Sequence, residues 1–313
     1  MYNIGELKEQ YKKKSVTADE AAGFVKSGDR ISFGLAHGAV VDFDIALSRR
    51  IKNLHDIEIF STLPLRRKPF ATYVESESDK QVRFNCCHFG APERSMADKH
   101  RCWFLPIQFR ELPKYWSETT KTFDIAVIQT GPIDSYGNFN IGPQVCDVWG
   151  YINNAKMIIV EVNENMPFAH GYQTELNLSD VDYVIQGSNT PLVELALSEP
   201  SDIERRIASN VVNLIESGST LQLGIGGLPY AIGLLLCNSD IDDLSIHTEF
   251  LTDAVVDLYN AGKITGNKNI DKGKIVYGFC GGSKKLYDFI DHNPLVFAAP
   301  IDYVNSINVI NIC

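Results

Sequence analysis

Two short segments of this chain carry residue types that could attack an activated acyl group. One is Gly224-Ile225-Gly226-Gly227-Leu228-Pro229; the other, a helix and a strand later, is His247-Thr248-Glu249-Phe250. A glycine-rich turn can wrap an anion with its backbone amides, and a carboxylate at a strand tip is a nucleophile already ionised at pH 7. Attack on a thioester needs both: an attacking oxygen and donors for the oxyanion that develops. No Gly-x-Ser-x-Gly segment is present to seat a serine nucleophile instead.

Each feature also has a plainer explanation. The glycine turn lies after a strand and before a helix in which Pro229 stands near the first position, so it either cradles an anion or simply allows a tight βα turn. It is neither G-x-G-x-x-G, because Pro229 replaces the third glycine, nor a P-loop. Glu249 is either a nucleophile at a strand's carboxyl end or a helix N-terminal acid capped by Thr248. In the second case Phe250, Leu251, Ala254, Val255 and Leu258 share the core face of a helix Phe250–Ala261, and Glu249 and Asp253 share another. Gly281-Gly282-Ser283-Lys284-Lys285 is a second strand-turn-helix junction, able to hold a phosphate through Ser283, amides and a lysine or to be a solvated helix start. His247 could orient substrate or merely pack. Cys86-Cys87-His88 with His100-x-Cys102 lacks zinc-ligand spacing and reads as thiols buried on strands.

The elements that must position these residues repeat along the chain. Ser27-Gly28-Asp29-Arg30-Ile31-Ser32-Phe33-Gly34 parallels Ser217-Gly218-Ser219-Thr220-Leu221-Gln222-Leu223-Gly224, each after an amphipathic helix (Ala18–Lys26; Ile203–Glu216). Leu54–Ile59 then echoes Ile241–Ile246, so Thr62 stands where the second half has Glu249. Helix, strand, Gly turn, helix, strand, twice over, predicts two related open α/β domains with mostly parallel sheets. First-half strands are expected at Ile57–Phe60, Gln81–Asn85, Cys102–Pro106, Ile125–Thr130, Met157–Val162 and Val181–Ile185. Second-half helices are expected at Pro229–Leu236 and Lys284–Ile290, with strands at Leu244–His247, Lys274–Phe279 and Val296–Ala299 and no closing helix. Leu197-Ser198-Glu199-Pro200-Ser201-Asp202 marks the boundary, Ser201 capping the next helix, so the domains are 1–199 and 200–313.

Composition narrows the partners. At 313 residues and 44% hydrophobic content the chain can fill two cores. A net charge of −10 disfavours nucleic acid. No apolar run reaches the ~18 residues of a membrane span, and Met1–Glu6 lacks the layout of a secretory signal. Seven scattered cysteines predict reduced thiols and a cytoplasmic protein.

The motif set resembles the acetyl-CoA hydrolase/transferase family, and within it butyryl-CoA:acetate CoA-transferases. The resemblance rests on Gln222–Pro229, His247–Phe250 and Ser283-Lys284-Lys285-Leu286-Tyr287-Asp288-Phe289. Asn163-x-Asn165-Met166-Pro167, Ser179–Asp182 and Ala261-Gly262-Lys263-Ile264-Thr265-Gly266 extend it over essentially the whole chain. It implies a class I CoA-transferase fold with the active site in the cleft between two domains. Glu249 is then the nucleophile, forming an acyl-glutamyl anhydride and next a glutamyl-CoA thioester. Gly224, Ile225, Gly226, Gly227 and Leu228 lie against CoA, and Ser283 and Lys284 are further CoA-binding candidates. The expected substrates are acyl-CoA and short-chain carboxylates, acetate the acceptor, with no cofactor (CoA being a substrate), no metal, and a homodimer. A hydrolase using the same glutamate and a non-catalytic acyl-CoA binder are the alternatives. Family chains continue past Val304–Ile310, so the second domain is expected to be incomplete, with weaker CoA binding and an exposed sheet edge.

Overall fold

Two parallel sheets organise the chain, as its alternation of strands and helices requires. The computed structural model describes residues 4–118, 121–195 and 199–313, which fall into two units. Met1–Asn3 and, within the expected boundary, Leu197 and Ser198 lie outside the described residues.

The first unit comprises Met1–Met166 and Glu175–Val193. The eight strands of its main sheet run in the order Ser15–Val16, Tyr183–Gln186, Ile158–Val162, Ile125–Thr130, Arg30–Leu35, Ile57–Thr62, Val82–Cys86, Cys102–Phe104, every neighbouring pair parallel. Central strands of such a sheet are covered on both faces and read as unbroken apolar runs. Ile125–Thr130 is buried at all six positions. The order of addition reverses at Arg30–Leu35: the next strand, Ile57–Thr62, joins one side and Ile125–Thr130 the other.

The second unit comprises Pro167–Thr174 and Glu194–Cys313. Its sheet runs Thr220–Leu221, Ser245–Leu251, Ile275–Cys280, Val296–Ala298, His170–Gly171, again all parallel. The short strand His170–Gly171 reaches this sheet from the stretch that the sequence suggested belonged to the first domain. It pairs with Val296–Ala298 at Phe297↔His170, and a Cβ on Gly171 would stand 1.9 Å from the Ala298 carbonyl oxygen, so glycine is needed for the approach.

The internal repeat survives in the pairing. Arg30↔Glu58 and Ile31↔Ile59 in the first sheet correspond to Thr220↔Ser245 and Leu221↔Ile246 in the second. The turns match bond for bond: the Gly28 N–H donates to His55 O at 3.0 Å and the Gly218 N–H to Asp242 O at 3.1 Å. The His55 and Asp242 N–H groups donate to the hydroxyls of Ser27 and Ser217 at 3.1 and 3.0 Å. Each unit's first repeat helix opens with a capping box, Thr17 with Glu20 and Ser201 with Glu204.

Three local expectations change. The strand Ser245–Leu251 runs through Glu249 instead of stopping at His247, and the helix after it begins at Asp253, not Phe250. Phe250 and Leu251 are buried as expected, but as strand residues. The helix after the glycine turn starts at Gly227, which puts Pro229 third, still in the first turn where its missing N–H costs nothing. Two short helices, Ile301–Val304 and Ile307–Ile310, close the chain where none was expected.

Candidate active site

Six of the seven residues of Ser245–Leu251 are buried; Glu249 alone is half-buried. A strand with both faces covered has no room for a carboxylate except near its carboxyl end, where open α/β sheets meet solvent and ligands. Glu249 is therefore not the helix-terminal acid of the plainer reading. Its Oε2 accepts a hydrogen bond from Asn305 Nδ2 at 2.5 Å, and Oε1 has no partner among the described residues.

Asn305 ends the short helix Ile301–Val304, which packs on the strands Ser245–Leu251 and Ile275–Cys280. The residue before it reads the same face of the strand. His247 and Glu249 are two apart and point the same way, and His247 Nε2 lies 2.7 Å from Val304 O. Burial keeps the His247 imidazole below its usual pKa, so it is neutral with Nε2 as donor; Nδ1 has no partner among the described residues. Lys268, also buried, donates to Ile246 O at 2.7 Å, and burial pulls its ammonium down to about 8.

The neighbouring strands bring the glycine turns to the same sheet edge. Counting three residues on from the pair Leu221↔Ile246 reaches Gly224, in the loop beyond the strand Thr220–Leu221, and Glu249 on the neighbouring strand. Ile225 is 64% exposed, and Gly226, at φ +120°, takes the left-handed conformation that glycine tolerates. The helix start beyond it is not empty. A Cβ on Gly227 would stand 2.5 Å from Glu204 Oε1, and Glu204's carboxyl is held below its usual range by Ser201 and by the Leu228 N–H.

The second turn also carries a protein carboxylate. Fully buried Asp253 accepts from the Ser283 N–H at 2.8 Å and from Ser283 Oγ at 2.5 Å. Gly282 makes this possible, since a Cβ there would meet Asp253 Oδ2 at 2.2 Å. Lys284 Nζ pairs with Asp288 at 2.5 Å and its N–H donates to Glu194 at 3.0 Å. Ser283 and Lys284, expected to face a phosphate, thus already have anionic partners, because a helix start attracts the nearest carboxylate. Asn305 and Lys268 were not singled out from the sequence, and Asp253 was read only as sharing a helical face with Glu249; nothing local marks an asparagine whose partner lies 56 residues away. In the first unit Cys86 and Cys102 lie buried on adjacent strands, each thiol pushed up to about 12 by burial.

Solved structures with this architecture include a CoA-transferase. The 4-hydroxybutyrate CoA-transferase of Porphyromonas gingivalis is 31% identical with a TM-score of 0.80, over 97% of this chain and 71% of that one. RipA from Yersinia pestis is 25% identical with a TM-score of 0.89, over 98% of this chain and 72% of that one. The fold is that of an open α/β, class I CoA-transferase-like protein. Residues 2–194 match the acetyl-CoA hydrolase/transferase N-terminal domain. The butyryl-CoA:acetate CoA-transferase of Anaerostipes caccae is 39% identical over 307 residues, which cover 96% of this chain and 68% of that one. The chain belongs to the acetyl-CoA hydrolase/transferase family, as an enzyme of the CoA-transferase kind. Among the described residues no helix is long and apolar enough to cross a membrane.

Proposed function

We propose that this enzyme moves CoA from a short-chain acyl-CoA, butyryl-CoA first among them, to acetate through Glu249. The observation carrying this reading is the half-buried Glu249 at the carboxyl end of its strand, one oxygen held by Asn305 and the other without a partner among the described residues. Oε1 attacks the thioester carbonyl, the C–S bond breaks, and an acyl-glutamyl anhydride forms with CoA thiolate released. The thiolate attacks the glutamyl carbonyl, giving the glutamyl-CoA thioester and freeing the first acid as its carboxylate. Acetate then runs the steps in reverse and leaves as acetyl-CoA. No proton changes hands and no cofactor is needed. Asn305 orients the nucleophile, and the open turn Gly224–Leu228 lies against CoA. Ser283 and Lys284 contact CoA only by exchanging Asp253 and Asp288. The names of the A. caccae and P. gingivalis relatives support the acyl class, C4 acids. On the resemblance alone, the reading includes a cytoplasmic homodimer.

The test is intact mass after mixing with butyryl-CoA, followed by peptide mapping. A CoA-sized adduct on the peptide bearing Glu249, discharged by acetate and absent from Glu249→Gln, is expected. An adduct that Glu249→Gln retains, or none in the parent at saturating butyryl-CoA, overturns the assignment. Discharge by water as fast as by acetate would make the enzyme a hydrolase.

A further inference from the structure

The two edges of the first unit's main sheet are finished differently. At one, the strand Ser15–Val16 follows directly on the helix Ile4–Lys14, and Lys14 Nζ donates to Leu178 O and Val181 O at 2.8 and 2.5 Å. At the other, Cys102–Phe104 pairs with Val82–Cys86 on one side only. Helices and lysines blunt an edge, whereas a bare one is a template for a further strand.

The direction of the backbone groups on this edge follows from the register. Phe84 pairs with Cys102 and Cys86 with Phe104, and the Leu105 N–H donates to Cys86 O at 3.0 Å. In a parallel ladder, alternate residues turn both N–H and C=O towards the same neighbour. Trp103 and the Leu105 N–H therefore face Val82–Cys86. The N–H and C=O groups of Cys102 and Phe104 point outward, without partners among the described residues. Side chains alternate too. Trp103, 46% exposed, stands on one face; Phe104, 54% exposed, stands on the other with the Phe89 ring edge-on at 5.5 Å. Pro106, with no N–H to give, ends the ladder.

This edge is basic in an acidic protein. Residues 80–121 carry eight Lys and Arg against four Asp and Glu, of which Glu93 is buried, while the whole chain has a net charge of −10. Lys99, exposed, comes just before the strand, and its ammonium has no partner among the described residues. Arg94, also exposed, lies towards the other end: it donates to Phe89 O at 2.6 Å, and the Phe89 ring meets Phe104. Arg101 is already committed, its guanidinium over Tyr73 and bonded to Tyr73 O and Ser76 O at 3.1 and 2.8 Å.

A second copy paired antiparallel across this edge would set Lys99 against Arg94, like charge on like. Single-stranded nucleic acid could stack on the rings, but it leaves the outward amides unpaired and is repelled by the net charge. An extended acidic peptide satisfies the outward N–H and C=O groups, covers the rings and neutralises the flanking cations. We propose that Cys102–Phe104 is a docking edge for an acidic, extended segment of another protein, which adds to the sheet as a further strand. Glu249 and the transfer reaction play no part in it.

Fluorescence anisotropy of the full chain with a labelled octapeptide of alternating glutamate and valine tests this. Its controls are the lysine–valine counterpart and the fully N-methylated acidic peptide, which keeps the charge and has no N–H to give. Each lost ladder bond is worth a factor of about five, so the acidic peptide should bind at least about tenfold tighter than either control. Its affinity should fall about tenfold from low salt to about 0.5 M. Lys99→Glu, at an exposed position, should weaken binding about tenfold at an unchanged melting temperature. Phe104→Pro removes an outward N–H, leaves the bonds to Val82–Cys86, and should weaken binding as much. Equal binding of the N-methylated peptide, equal binding of the lysine peptide, or indifference to Lys99→Glu would each overturn the proposal. A dimer in sedimentation that Phe104→Pro dissociates would give the edge to a second copy and overturn it as well.

Discussion

The two halves share one frame and put different groups at its working end. Under the repeat, Thr62 of the first sheet corresponds to Glu249 of the second, each near the carboxyl end of a strand paired in the same register. Thr62 is buried and donates to Asp147 Oδ2 at 2.9 Å, which also accepts from Trp116 Nε1 at 2.8 Å. Glu249 is half-buried, with a single partner among the described residues. One level down, the carbonyl of Ile59 receives a neutral amide, Asn85 Nδ2 at 3.4 Å, whereas that of Ile246 receives the ammonium of Lys268. The first half spends these positions on packing; the second keeps a carboxylate within reach of solvent and a buried charge beneath it. Register sets where a side chain can act, and depth decides whether it does.

Exchanging the two end residues should break this comparison most sharply. Thr62→Glu places a second carboxylate against buried Asp147 and should cost about 3–5 kcal/mol in urea denaturation. Glu249→Thr, at the half-buried site, should cost under about 1 kcal/mol while abolishing the acyl-CoA adduct. Equal destabilisation would mean that the two strand ends do not differ in depth.

Gly282→Ala comes next. The added methyl meets a buried carboxylate that has no other place to go, and a loss of about 2–3 kcal/mol is expected. Gly28→Ala, with nothing within 4 Å of the new methyl but φ at +90°, should lose only about 1 kcal/mol of backbone strain. Similar midpoints for the two variants would remove the packing argument.

Lys268 gives a smaller effect with a pH signature. Its pKa falls from 10.5 unfolded to about 8 folded. At 1.36 kcal/mol per unit that is a penalty of about 3 kcal/mol, full below pH 8 and gone by pH 10.5. Stability of the parent should thus rise with pH through that window. Lys268→Met removes the penalty but also one hydrogen bond, leaving a gain of about 2 kcal/mol at pH 7 that shrinks towards pH 10.5. A gain independent of pH would show that the ammonium is not desolvated.

The smallest effects should be equal. Thr17→Ala and Ser201→Ala each remove a capping box at equivalent helix starts and should each cost about 1 kcal/mol. Unequal losses would say that one helix is held by something other than its cap.

Much of this was legible in the chain. The alternation of strands and helices, the repeat and Glu249's place near a strand's carboxyl end follow from local periodicity and turn residues. The bounds of Ile125–Thr130 and Lys284–Ile290 stand as read. The extent of the Glu249 strand did not, because Phe250, Leu251, Ala254, Val255 and Leu258 satisfy a helical face, and a fully buried parallel strand shows no alternation to contradict it. The partners of Ser283 were illegible for another reason. Gly281-Gly282-Ser283-Lys284 has the composition of an anion site whether the anion is a ligand or the protein's own Asp253.

Sequence by itself determined the elements, the duplicated frame and the place of Glu249 near a strand's carboxyl end, because propensity, turn chemistry and hydrophobic period act over a few residues. Only the tertiary structure decided what each polar group meets: Asn305 on Glu249, Val304 on His247, Asp253 on Ser283, Glu204 at the Gly227 turn. Those partners lie 23 to 57 residues apart in sequence. They meet because parallel strands must be crossed by helices, which gathers distant loops at one sheet edge, and burial then pairs the charges it finds there.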